Sequence, residues 1–131
     1  MTKLYAVDDD RAFLELVESV ARSMGFEVVT VSRSSTFGTV YAGEPDAVIM
    51  IDMIMPEMDG LEVMNSVAAR KPPGAIIFMS GFGDHYPDMA GELARMKGVK
   101  RVETLLKPVK LAHLRAALER ARDAIAGDRT G

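Results

Sequence analysis

Cysteine is absent from these 131 residues, which excludes disulfides, thiolate metal sites and a cysteine nucleophile, and suits a reducing compartment. Histidine is nearly as scarce. His85 and His113 stand far apart with no ligand pattern around them, so neither reads as a zinc ligand. No apolar run approaches the length of a membrane span. Met1-Thr2-Lys3 leads straight into a strand-like stretch, so no signal peptide is visible. An excess of positive charge is lacking too: a net charge of -3 offers no general attraction for nucleic acid or an anionic membrane. There is no internal repeat beyond the alternation described next and no low-complexity segment. What remains is a composition of 48% hydrophobic and 27% charged residues, that of a globular chain the size of one domain. The expectation is a cytoplasmic protein with no membrane partner and no direct nucleic-acid binding.

What is present is a rhythm. Apolar runs at Leu4–Val7, Ala47–Ile51, Ala75–Met79 and Thr104–Leu106 each stop at a reactive polar residue: Asp8-Asp9-Asp10, Asp52, Ser80 and Lys107. Between them lie segments of helical spacing. The first carries Phe13, Leu14, Val17, Val20, Ala21 and Met24 and is closed by Gly25. A β-branched strand at 27–31 and a short helix at 34–41 follow. Asp59-Gly60 opens a third helix with Leu61, Met64, Val67 and Ala68 on one face. Pro87 opens a fourth, whose apolar stripe is Met89, Leu93 and Met96 and whose end is Gly98. The last helix shows Leu111, Leu114, Leu118, Ala121 and Ile125, with Gly127 as its stop. Five strands alternating with five helices predict an α/β doubly wound (βα)5 domain with a flavodoxin-like parallel sheet of order 2-1-3-4-5.

Ligands of open α/β sheets bind beyond the carboxyl ends of the strands, so carboxylates, a hydroxyl and an ammonium are expected to converge at one edge. If Asp8, Asp9 and Asp52 meet, their mutual repulsion raises proton affinity or calls for a cation. Magnesium prefers oxygen ligands and takes one or two carboxylates plus phosphate oxygens. A carboxylate beside such a metal can act as a nucleophile toward phosphorus, and Asp52, at the end of the central strand, is the best placed. Lys107 would bring a compact positive charge and Ser80 a hydrogen bond. Each residue alone has a plainer reading: Asp10 as a helix N-cap, Asp59 as a turn residue, Lys107 as a solvated surface group. Three aspartates in a row exceed what a cap requires.

The chain resembles the receiver domain of two-component response regulators from about residue 3 to residue 126. The resemblance rests on 7–10, on the stretch 45–63 that contains Asp52-Met53-Ile54-Met55-Pro56, on Ile76-Ile77-Phe78-Met79-Ser80-Gly81 and on Lys107-Pro108. It implies a receiver domain over residues 1–126, with 127–131 a C-terminal tail or the start of a linker. It implies that Asp52 is the phosphoacceptor in a Mg2+-dependent reaction, with Asp8 and Asp9 the acidic pair. Asp9 and Asp52 would ligate magnesium directly, the backbone carbonyl of Ile54 would be the third protein ligand, and Ser80 and Lys107 would take the hydroxyl and lysine positions. The Lys107-Pro108 peptide bond is often cis in such domains. The domain would be a phosphoprotein of a phosphorelay that catalyses only its own phosphotransfer and dephosphorylation, without a separate turnover substrate. Its partners would be a sensor histidine kinase or phosphotransfer protein, and an output domain or downstream protein at the face of the fourth helix, fifth strand and fifth helix. That face, where Arg95, Lys97, Lys100 and Arg101 cluster, commonly mediates output or homodimer contacts in receivers.

Some positions depart from the family pattern. Thr104 stands where many receivers carry a Tyr or Phe whose rotamer follows phosphorylation, and Gly81 replaces a more frequent Ala. Ile54 and Phe82 flank the acyl phosphate in relatives, and two apolar residues there imply slow hydrolysis. Three other classes meet obstacles in the sequence. A haloacid-dehalogenase-type phosphatase needs a second Asp where Ile54 stands. A flavin carrier needs hydroxyls and glycines where Asp8-Asp9-Asp10 stands. A docking module independent of phosphorylation would not need the full acceptor set.

Overall fold

The structure is a computed structural model that describes residues 1–33, 36–52, 63, 66–67, 69–81, 91–92 and 94–130, with backbone alone at 128–130. Five strands form one parallel sheet: β1 (Lys3–Val7), β2 (Glu27–Val31), β3 (Ala47–Asp52), β4 (Ala75–Ser80) and β5 (Arg101–Leu106), in the order β2-β1-β3-β4-β5. This is the predicted flavodoxin-like order. The continuous helices are α1 (Arg11–Ser23), α2 (Phe37–Val40) and α3 (Leu111–Thr130), and the described residues 63, 66–67, 91–92 and 94–96 are also helical.

β3 and β4 are buried along their whole length, because helices cover both faces of the sheet. Side chains alternate between those faces. Leu4, Ala6, Val48, Met50, Ala75, Ile77 and Met79 pack with Leu14, Val17 and Ala21 of α1 and Leu114, Leu118 and Ala121 of α3. Tyr5, Val7, Ile49, Ile51, Ile76 and Phe78 face the other way, with Phe37, Val63, Val67 and Ala94. Tyr5, Phe37 and Tyr41 form an aromatic cluster within that second layer. The Tyr41 hydroxyl donates to the Lys71 carbonyl and accepts from the Glu44 N–H, and burial pushes its phenol up to about 12.

α1 ends as its sequence demands. Gly25 has φ +94, its N–H reaches the Arg22 carbonyl, and the Phe26 N–H reaches Ala21. This double bond across a left-handed residue satisfies the last carbonyls of the helix. Gly98, with φ +95, closes the fourth helical segment in the same way through Ala94 and Arg95.

Several expectations need correction. The second helix is the single turn Phe37–Val40 rather than 34–41, of which 34 and 35 lie outside the described residues. Met96 does not belong to a buried stripe: it is 83% exposed, and the buried positions among the described residues of the fourth segment are Gly91 and Ala94. Leu111 is exposed as well, so the buried stripe of α3 begins at Leu114. Gly127 does not stop α3, which runs on to Thr130. Leu61, Met64, Ala68, Pro87, Met89 and Leu93 lie outside the described residues.

Candidate functional site

The register of the sheet builds the site. Val7 pairs with Ile51 and Asp52 with Met79, so Asp8 and Asp52 leave adjacent strands at the same level. Ser80 pairs with Leu106, which sets Lys107 just beyond the same edge. The Lys107 N–H donates to the Ser80 carbonyl at 2.8 Å, and the Lys107-Pro108 bond is cis. Strands only about 4.8 Å apart therefore deliver side chains from β1, β3, β4 and β5 to one place.

The Lys107 ammonium donates to Asp52 Oδ2 at 2.8 Å and to Asp8 Oδ2 at 3.2 Å. Asp8 is fully buried, Asp52 is 7% exposed and Ser80 3%, whereas Asp9 is exposed. Carboxylate oxygens of Asp8, Asp9 and Asp52 all lie within 4.8 Å of one another. Burial pushes the Asp8 carboxyl above its ordinary value. The Asp10 N–H and the Lys107 charge pull the other way without offsetting that rise, to which Asp52 adds. Burial pulls the Lys107 ammonium down, but its hydrogen bond to Asp52 and the charges of Asp8 and Asp52 outweigh burial, so its pKa is raised. One ammonium stands against three carboxylates, and an all-oxygen, strongly anionic donor set of this kind fits a hard divalent cation. Asp8, Asp9 and Asp52 could thus hold a metal ion.

The third aspartate has a different task. Asp10 is the N-cap of α1, its carboxylate accepting the Phe13 N–H at 3.1 Å, while its own N–H donates to Asp8 Oδ1 at 2.9 Å. Of the five candidate side chains, the fold gathers Asp8, Asp9, Asp52 and Lys107 directly and sets Ser80 at the neighbouring strand end. Ile54 lies outside the described residues, as do Phe82 and His85.

A family model of the response regulator receiver domain matches residues 4–119. The chain belongs to that family. This receiver domain is 38% identical over 81 residues to "Response regulator protein TmoT" of Ectopseudomonas mendocina, a match covering 62% of the chain and 37% of that protein. The chain thus spans well under half the length of that curated relative. It is 30% identical to "Chemotaxis protein CheY" of Listeria monocytogenes, over 92% of the chain and 98% of that protein. Among solved structures, a response regulator from Colwellia psychrerythraea superposes with a TM-score of 0.75 at 25% identity, covering 93% of this chain and 97% of that one.

One neighbour of the site escaped the sequence reading. In the sequence Phe13 reads only as the first apolar residue of the α1 stripe, yet the Lys107 ammonium lies 5.7 Å from the centre of its ring. The sole local signal is that Phe13 stands three residues after the cap, at the end of the helix nearest the site.

Proposed function

We propose that this receiver domain accepts a phosphoryl group on Asp52 in a Mg2+-dependent reaction and so controls an output domain or partner protein. The observation that carries the reading is the Lys107 ammonium held between Asp8 and Asp52, with Asp9 alongside, at the carboxyl edge of the sheet. The donor would be the phosphohistidine of a sensor histidine kinase or phosphotransfer protein. An Asp52 carboxylate oxygen forms the new bond to phosphorus as the bond to the donor nitrogen breaks, and the imidazole keeps that electron pair. Asp8, Asp9 and Asp52, with the Ile54 carbonyl, would hold magnesium, which supplies positive charge against the charge developing on the phosphoryl oxygens. The Lys107 ammonium meets a phosphoryl oxygen once Asp52 carries the acyl phosphate, and the Ser80 hydroxyl donates to another. These two new contacts favour one arrangement of the loops that carry them. The domain turns over no separate substrate, and its site of action is cytoplasmic.

Intact mass after incubation with acetyl phosphate tests this reading, with and without magnesium, beside Asp52→Asn. A magnesium-dependent phosphoadduct on the parent chain, absent from the variant, is the expected result. No adduct in any condition would instead favour a docking module that works without phosphorylation. One observation speaks for that second reading: Thr104 is exposed on β5 at the position where many receivers carry the switching aromatic.

A further inference from the structure

We propose that Phe13 is a positioning residue of the acceptor site, its ring holding the Lys107 ammonium between Asp8 and Asp52. This rests on the acceptor role given to Asp52 above. The contacts form a closed circuit. Asp8 Oδ2 accepts from Lys107, and Asp8 Oδ1 accepts the Asp10 N–H. The Asp10 carboxylate accepts the Phe13 N–H, and the Phe13 ring faces the Lys107 ammonium at 5.7 Å. The helix cap thereby fixes the backbone of the residue whose ring meets the lysine.

The ring's other anchor is the core layer of α1 and α3, against which Phe13 is packed half-buried. Lys107 has one third of its side chain exposed. Two of its N–H groups are directed at Asp52 and Asp8, and the aromatic face attracts the ammonium by its quadrupole. Asp10, Phe13, Lys107, Pro108 and Val109 line a cleft of about 460 Å3. A shorter side chain at 13 would widen that cleft toward the ammonium and admit water, freeing a flexible four-carbon stem to leave the carboxylates. An aliphatic residue could fill the core contact equally well but offers no π face. The aromatic character of residue 13, beyond its size, is therefore what the site uses.

The test compares Phe13→Leu, Phe13→Met and Phe13→Tyr with the parent chain, all 131 residues long. The two readouts are the rate of adduct formation from acetyl phosphate at saturating magnesium and the chemical shifts of the Lys107 ε-methylene protons. Ring current should move those protons upfield in the parent and in Phe13→Tyr, and the shift should vanish in Phe13→Leu and Phe13→Met. The rate should fall about two- to fivefold in the two aliphatic variants, the range a cation–π contact near the surface supports, and be restored in Phe13→Tyr. Should the leucine variant not fold, methionine, flexible enough to fill irregular space, carries the comparison. Equal rates in all four chains, or no ring-current shift in the parent, would overturn the positioning role while leaving the acceptor reading intact. A parent chain that forms no adduct removes the acceptor reading, and the positioning role falls with it.

Discussion

Asp8 is the residue on which the energetics of the site turn. A fully buried carboxylate is costly unless its charge is answered, and here the answer is partial: one shared ammonium and one backbone N–H. Burial holds its pKa above the unfolded value, so protonated Asp8 favours the folded state. That contribution is complete below the ordinary carboxylate range and is lost as pH rises through the raised folded pKa. At pH 7 without metal the ionised Asp8 is therefore a cost to the fold. Asp8→Asn keeps the shape and an acceptor for the Asp10 N–H while removing the charge. Its melting midpoint at pH 7 without magnesium should exceed that of the parent by a few degrees, and the gap should close as pH is lowered toward 4. A midpoint below the parent's at pH 7 would mean that the pairing with Lys107 outweighs the desolvation. Lys107 carries a dependence of the same sign in a higher pH range. Its raised pKa makes its ion pairs a stabilising contribution that is intact through neutral pH and is lost only above the usual lysine range.

Among the described glycines, Gly74 has the least room for a side chain, where the last turns of α3 meet the start of β4. A methyl group added at Gly74 would sit 2.5 Å from Ile125 Cγ1 and 2.8 Å from the Pro45 carbonyl oxygen. The backbone oxygen cannot move aside as a flexible side chain can. Gly74→Ala should cost about 1–3 kcal/mol, the usual range for overpacking, read as a lower urea midpoint with an unchanged slope. A smaller loss is expected for Tyr41→Phe, about 1 kcal/mol for the hydroxyl that ties Lys71 to Glu44. At this scale, legibility in the sequence followed the strength of the burial signal. β3 and β4 read clearly because strands covered on both faces are apolar without alternation. Among the described residues of the fourth helical segment, the buried ones are Gly91 and Ala94, small residues with little weight in a hydrophobic pattern, whereas the conspicuous Met96 points to water. Gly127 misled in another way, since a glycine stops a helix only where the chain adopts a left-handed turn, as at Gly25 and Gly98. The carboxylates, Ser80 and Lys107 were legible because each ends an apolar run. The Phe13 ring was not, because a contact between distant parts of the chain leaves no periodicity in either.

Across the whole molecule, the strand order brings the site together at one edge of the sheet. β1 and β3 are neighbours, and the described residues that follow them pack on opposite faces, α1 after β1 and Val63 and Val67 after β3. The carboxylates of Asp8, Asp9 and Asp52 meet where these two strands end, in keeping with the placement of ligands at such switch points. Because three strands supply the bridging groups Asp8, Asp52 and Lys107, a cation bound there couples to the folding of the entire sheet and not to one loop. Magnesium, by binding the folded form, should stabilise it by about 1.4 kcal/mol at ten times its dissociation constant. For a domain of this size that is a rise of roughly 3–8 °C in the melting midpoint. The rise should grow with the logarithm of magnesium concentration and be much reduced in Asp52→Asn and Asp8→Asn, where one carboxylate charge is gone. Calorimetric scans of the three chains across a magnesium series measure this directly. An equal rise in all three would show that the ion binds elsewhere, whereas a rise confined to the parent chain would tie the stability of the sheet to the same carboxylates proposed to carry the phosphoryl chemistry.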